Sequence, residues 1–205
     1  LQAGDIKILD LNGDGIINSG LNTLSDPGDR VIIGNSQPRY SYGLNLSANW
    51  NGIDASIFFQ GIGRQHWYPN LEAQGFWSVY ARPYDSFIPS DFIDKIWSPE
   101  NPNAYFPFLR GYTAQNSELS VNNDMYLQNV AYLKLRNLTI GYALPSSVIQ
   151  RINVNTLRLF VSGENLHTWT KLKTDYIDPE QVMTDNTARS YPIGRVMSFG
   201  VQLSF

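Results

Sequence analysis

Apolar and polar residues alternate in several stretches of this chain, most strictly in its last one. In Met197–Phe205 the apolar Met197, Phe199, Val201, Leu203 and Phe205 interleave with Ser198, Gly200, Gln202 and Ser204. Period-two alternation sorts the two sets onto opposite faces of a β-strand. The longest such passage is Tyr40–Trp50. There Tyr40, Tyr42, Leu44, Leu46, Ala48 and Trp50 share a face, and Ser41, Gly43, Asn45, Ser47 and Asn49 take the other. Asn51-Gly52 follows, a strong local signal for a type I′ hairpin. The return strand, Ile53–Gly61, places Ile53, Ala55, Ile57 and Phe59 opposite Asp54, Ser56 and Gln60. At about 11 and 9 residues, these strands have the length a tilted strand needs to cross a bilayer.

Alternation returns at residues 131–142. Leu133 and Leu135 face away from Lys134 and Arg136, and then Leu138, Ile140 and Tyr142 continue in shifted phase, which predicts a bulge near Asn137. Pro145–Arg151 reads as a short connector. Asn155–Asn165 reads as a strand, with Leu157, Leu159 and Val161 on one face and Arg158, Ser162 and Glu164 on the other. Between these strands lie 64 residues (62–125) with no periodicity, including Trp67, Trp77 and Trp97. A connection of that length argues for a large functional loop. Within it Asp91–Trp97 reads as a helical turn with Ser90 as its N-cap. Residues 168–190 are a second polar loop.

Following the strands up and down sorts the connections. The Asn51-Gly52 turn and the 143–154 connector fall on one side, whereas 62–130 and 168–190 fall on the other. Outer-membrane β-barrels have this asymmetry, with short turns on the periplasmic side and long loops outside. The predicted fold is therefore all-β, a run of strands from a large antiparallel transmembrane β-barrel with long extracellular loops. Trp50 at the turn and Tyr40 and Tyr42 at the far end sit where interfacial aromatic girdles belong. Asp54, Lys134, Arg158 and Glu164 fall on the inward faces, as a water-filled interior would have them. The alternative is a secreted, calcium-stabilised β-sandwich with an aromatic glycan-binding surface. It leaves the long loop and the inward charges without a reason.

Composition narrows the classes further. A formal net charge of −3 offers no electrostatic basis for nucleic-acid binding. Charged residues make up only 16% of the chain and aromatics 13%, a balance that suits barrels with girdles and also sugar-binding proteins. The absence of cysteine excludes disulfides, thiolate metal sites and a cysteine nucleophile. No run of about 18 apolar residues forms a membrane helix, a test that does not apply to strands. The chain starts at Leu1 with no signal peptide, which we read as the start of a mature fragment or of the C-terminal piece of a larger protein.

One local motif carries ligand chemistry. Asp10, Asn12 and Asp14 occupy positions 1, 3 and 5 of a calcium loop, Gly15 the sharp turn at position 6, the Ile16 carbonyl position 7 and Asn18 position 9. Leu21 stands at position 12 in place of the bidentate Glu, so Asp26 or Asp29 would have to close the site. An Asn-Gly-Asp-Gly turn without metal is the competing reading.

In combination and order, these pieces resemble the C-terminal portion of SusC/RagA-type TonB-dependent outer-membrane transporters. They are Gly4-Asp-Ile-Lys7, Asp10-Leu-Asn-Gly-Asp-Gly15, Val31-Ile-Ile-Gly-Asn35, Tyr42-Gly-Leu-Asn-Leu46, Phe58-Phe-Gln-Gly61 and Trp97-Ser-Pro-Glu-Asn-Pro-Asn-Ala104. Ala131–Pro145, Val161-Ser-Gly-Glu-Asn-Leu166, Asp178-Pro-Glu180 and the terminal Phe205 complete the series. The resemblance implies the C-terminal strands of a 22-stranded barrel with an internal plug. It also implies import of glycan oligomers or peptides across the outer membrane, a SusD-like surface lipoprotein as lid, and TonB acting through a missing N-terminal part. Ser19–Gly28 looks like an insertion relative to the family, which leaves the choice between Asp26 and Asp29 open. Phe205 resembles a barrel-assembly signal.

No enzymatic constellation emerges. His66 and His167 are far apart in sequence and accompanied by no nucleophile motif, and the loop carboxylates Asp175, Asp178 and Glu180 form no glycosidase pair by spacing. Trp67, Trp77 and Trp97 are candidates for stacking on sugar rings or touching the lid, with packing inside their own loop as the competing reading.

Overall fold

The structure is a computed structural model that describes residues 2–82, 84, 88–116, 118–149, 154–185 and 187–205. Its strands are β1 (Tyr40–Trp50), β2 (Ile53–Gly63), β3 (His66–Trp67), β4 (Ile96–Trp97), β5 (Phe106–Phe108), β6 (Gln128–Asn129), β7 (Tyr132–Ala143), β8 (Thr156–Thr170) and β9 (Val196–Ser204). No helix among the described residues is long and apolar enough to cross a membrane. The chain divides into two compact units.

One unit comprises Ser36–Trp67, Gln128–Val182 and Tyr191–Phe205. Its centre is a five-stranded antiparallel sheet in the order β1-β2-β7-β8-β9. The hairpin at Asn51-Gly52 forms as its residues dictate, with φ of 54° and 84°, and pairs Trp50 with Ile53. Register aligns the alternation of all five strands. Leu46, Ile57, Leu138, Val161 and Phe199 share one face, and Asp54 lies opposite Gly141 on the other. The apolar face remains exposed, with Leu46 50% and Phe199 71% accessible. The sandwich alternative needs a second sheet against this face, and the described residues form none there. Trp50 and Tyr142 mark one edge of the apolar face, and Tyr40, Tyr42 and Trp169 the other.

The strands follow the sequence reading with local differences, and β2 runs to Gly63 where Gly61 was expected. The predicted bulge is present, and Arg136 is its extra residue, skipped between Leu135 and Asn137 in both neighbouring ladders. β8 runs on to Thr170 instead of ending at Asn165, so the following loop starts at residue 171 and lasts until β9. Asn165 has φ of 52°, a left-handed conformation that Asn tolerates better than most residues. It turns the Asn165 amide to the polar face, where it meets Arg136, and leaves Leu166 against Gly163. A polar residue at an apolar parity position is what made the strand seem to stop. Of the Pro145–Arg151 connector, residues 150–153 lie outside the described ones.

The other unit comprises Leu1–Asn35, Tyr68–Leu127 and Met183–Ser190. Most of the loop at 62–130 belongs to it, and this part is not irregular filler. Short helical turns at Gln74–Trp77, Ser78–Tyr80, Ser90–Lys95 and Glu118–Ser120 gather an aromatic core. Phe76 meets Trp77 edge-on at 4.8 Å between ring centroids, and Trp77 meets Tyr126 at 5.1 Å. Phe92 and Phe106 lie 4.9 Å apart. Tyr80 donates to the Pro107 carbonyl at 2.6 Å, and Tyr126 to the Tyr105 carbonyl at 3.1 Å, so the buried hydroxyls are satisfied. The Ser90–Lys95 turn is 3₁₀ and is preceded by Pro89, with no side-chain cap. The expected Ser90 N-cap is thus wrong by one residue: Ser90 is already inside the turn.

Candidate functional site

The calcium-type loop is held by hydrogen bonds from its own backbone. Asp10 accepts from the Gly13 N–H at 2.6 Å and the Gly15 N–H at 2.8 Å, one on each carboxylate oxygen. The Asp14 N–H donates to the Asn12 side-chain oxygen at 3.0 Å, and the Ile16 N–H to Asp14 at 2.7 Å. Gly15, with φ of 83°, makes the turn that a side chain would strain. Asn18 donates from its side chain to the Ile16 carbonyl at 3.1 Å.

The structure distinguishes the two carboxylates that could close the loop. Asp29 accepts from the Leu11 N–H at 2.7 Å and the Asn18 N–H at 2.8 Å, on its two oxygens, and so ties the two ends of the motif together. Its carboxyl is held below the usual range by the Asn18 N–H first and the Leu11 N–H second, against a smaller opposing desolvation. Asp26 instead accepts from Leu21 N–H at 3.0 Å inside the Ser19–Gly28 segment. That segment closes on itself, because the Asp29 N–H donates to the Asn18 carbonyl at 2.9 Å. Because the ends of this segment meet, Asp29 lies beside Asn18, where the calcium-loop pattern would have a carboxylate.

The donor set of Asp10, Asn12, Asp14, the Ile16 carbonyl, Asn18 and Asp29 is all oxygen, the chemistry that suits a hard cation. A carboxylate oxygen that accepts one N–H keeps a further lone pair for an ion. Among the described residues, however, no three His, Cys, Asp or Glu side chains converge as a metal cluster.

The three tryptophans separate. Trp77 is fully buried in the aromatic core, and Trp67 is buried in the other unit, so neither offers a ring face to a ligand. Trp97 is half-buried, and it lines a cleft of about 1080 Å³ in the same unit as the calcium-type loop. Ile6, Ile8, Asp29, Phe106 and Asn123 also line this cleft. Sequence reading had no signal for it, because its walls come from segments about 100 residues apart. His66 and His167 are not brought together; His167 lies on the apolar face of β8, its ring centroid 4.4 Å from that of Trp169.

On the polar face of the sheet, three of the four charges expected to be wetted by a lumen, Asp54, Lys134 and Arg158, are paired instead. Arg158 makes a two-pronged contact with Asp54, at 2.7 and 2.5 Å, across the intervening strand at Gly141. Lys134 is only 1% exposed and is met by Asp178 and Glu180, two of the three loop carboxylates in which spacing alone showed no catalytic pair. Burying a lysine is tolerable only with such partners.

No family model matches the chain. TonB-dependent receptor P3 of Formosa agariphila is 30% identical over 96% of this chain, which spans 18% of that receptor. TonB-dependent receptor P26 of the same organism is 24% identical over 98% of the chain, which spans 20% of it. Among solved structures, the RagAB peptide transporter superposes with a TM-score of 0.61 at 24% identity, over 85% of this chain and 18% of the matched one. The RagAB peptide importer in its closed–closed state gives 0.59 at 23%, with the same coverage. The chain thus spans about a fifth of the relatives it matches. The exposed apolar face, the girdle residues and these likenesses agree: along nearly its whole length the chain is similar to part of the TonB-dependent receptors, and its five long strands have the fold of a wall segment of a transporter barrel.

Proposed function

We propose that this chain is part of an outer-membrane, TonB-dependent importer of glycan oligomers or peptides that works with a SusD-like lipoprotein lid. The observation that carries the reading is the sorting of the sheet. Five registered strands present one continuous apolar face with aromatic edges, and the long connections all leave from one end of it. A face of that kind is stable against lipid and costly against water. The end bearing residues 64–131 and 171–195 is the extracellular one in this reading, and the Asn51-Gly52 turn is periplasmic. The protein makes and breaks no bonds of its cargo. Its energy comes from TonB, through a part of the protein outside these residues.

In the same reading calcium binds at Asp10, Asn12, Asp14, the Ile16 carbonyl, Asn18 and Asp29 and braces the extracellular loops. Closure of the loop by Asp29 supports this. Trp97, the one tryptophan of the three with an accessible ring and a cleft beside it, is the contact for cargo or lid. The decisive experiment expresses the full-length protein in its own cell and fractionates the envelope. Recovery in the outer membrane, with loss of growth on peptides or on glycan oligomers when the gene is deleted, is the expected result and also identifies the cargo. Recovery as a soluble periplasmic protein would sink the proposal. For calcium, Asp14→Ala should abolish any effect of chelator on protease resistance of the loops; unchanged chelator sensitivity rules the ion out at this site.

A further inference from the structure

β7 presents two cations on its polar face, and the loop after β8 places two carboxylates against them. Lys134 lies opposite Gln60 in the ladder, on the face that carries Asp54 and Gly141. The bulge at Arg136 adds a second cation to that face one turn of the pleat away. Arg136 donates to the Gln60 side-chain oxygen at 2.9 Å and to the Asn165 oxygen at 2.8 Å, which fixes its direction. Asp178-Pro-Glu180 supplies the matching anions. Both Asp178 oxygens accept from Lys134 at 2.7 Å. Glu180 divides its two oxygens, one accepting from Lys134 at 2.8 Å and the other from Arg136 at 2.5 Å. The Glu180 N–H donates to Asp178 at 3.0 Å, closing the cycle. Leu172, Ile177 and Val182 are buried along the same segment, so the loop lies down along its length and not only at the ion pairs.

Because Lys134 is on the polar face, these contacts can form only if the loop folds towards the inside of the wall. We propose that residues 171–182 are an inward strap that narrows the import lumen, latched by Lys134 and Arg136 to Asp178 and Glu180. The latch rests on the reading of the sheet as a transporter wall, but its test does not depend on cargo or on TonB.

These 205 residues contain no cysteine, so Asp175→Cys in the strap and Ser198→Cys on the inner face of β9, in full-length protein with any cysteine elsewhere replaced by serine, can carry a pair of nitroxide labels in outer-membrane vesicles. The expected result is one narrow distance between the labels. In Lys134→Met the distance should lengthen and broaden, and the label at residue 175 should become mobile. If Lys134→Met fails to assemble, the Asp178→Asn and Glu180→Gln double variant breaks the same pairs while keeping the polar volume, and it should give the same release. An unchanged distance and immobile label in an assembled variant overturn the latch. A wild-type label that is already mobile and broadly distributed overturns the strap itself, whatever the cargo proves to be.

Discussion

The two units of this chain are built on opposite solvent logics. In the unit with the aromatic core, the apolar side chains are inside: Trp77, Tyr80 and Tyr126 are wholly buried. In the sheet unit the large apolar residues stand exposed in rows, while Lys134 and Gln128 are among its most buried side chains. One chain can do both only if its surroundings differ. The aromatic unit has the interior of an ordinary water-soluble body, and the sheet has the surface of a body dissolved in lipid with a polar inside. Substitutions chosen to have opposite meanings in the two units test this contrast directly.

The largest effect is expected at the centre of the aromatic core. Trp77→Ala removes a ring that contacts Phe76, Phe106 and Tyr126, and it frees the indole N–H bond to the Asn70 carbonyl at 2.8 Å. Loss of a buried aromatic of this size costs about 3–5 kcal/mol. The outcome should be local: rapid cleavage within residues 68–127 by external protease, with the barrel still resistant to heat and detergent. On the lipid side, Leu46→Arg places a charge midway along β1, at an estimated cost of about 2–4 kcal/mol for a position near the bilayer midplane. Here the loops should survive and barrel assembly should suffer, read as a lower yield of heat-modifiable band on a gel. If Leu46→Arg instead behaved like a neutral surface change, the apolar face would not be meeting lipid.

A smaller effect should appear on the inner face, and it is diagnostic by its coupling. Gly141 sits beneath the Arg158 guanidinium, so that a Cβ there would collide with it. Gly141→Ala should push Arg158 off Asp54 and lower the midpoint of barrel unfolding. In an Asp54→Asn background Arg158 is free to swing away, so the added alanine should matter less. Equal effects in both backgrounds would mean that the glycine serves the backbone and not the ion pair.

How much of this was legible in the sequence follows from what each feature depends on. The five long strands, the hairpin and the bulge depend on near neighbours and on period two, and all were readable apart from the last turn of β8. That extension depends on one left-handed residue, Asn165, which reverses faces and so imitates a strand end. The Lys134 latch and the aromatic core depend on contacts across tens of residues, for which no local pattern exists. Lys134 and the Asp178-Pro-Glu180 carboxylates were each visible, but nothing in their spacing paired them. The same holds for the cleft beside Trp97, and for Trp77, whose ring looked as available as that of Trp97 until its neighbours were known.

The smallest expected effect concerns Asp29 and separates the loop's own hydrogen bonds from any ion it holds. Its folded-state carboxyl titrates below the ordinary value near 3.9 because the Asn18 and Leu11 N–H groups favour the charged form. A group shifted down contributes stability that is fully present above its unfolded value and lost as pH falls through the lower folded one. Closure of residues 10–29 should therefore be constant from neutral pH to about pH 5, and should weaken only in acid below the usual carboxylate range. Amide exchange at Leu11 and Asn18 measures it, since both N–H groups are engaged by Asp29. Asp29→Asn should remove the acid dependence and leave the exchange fast throughout. If chelator speeds exchange at pH 7 in the parent but not in this variant, the ion and the hydrogen bonds share the same carboxylate. If chelator has no effect in either, the loop is held by its own hydrogen bonds alone and needs no metal to stay closed.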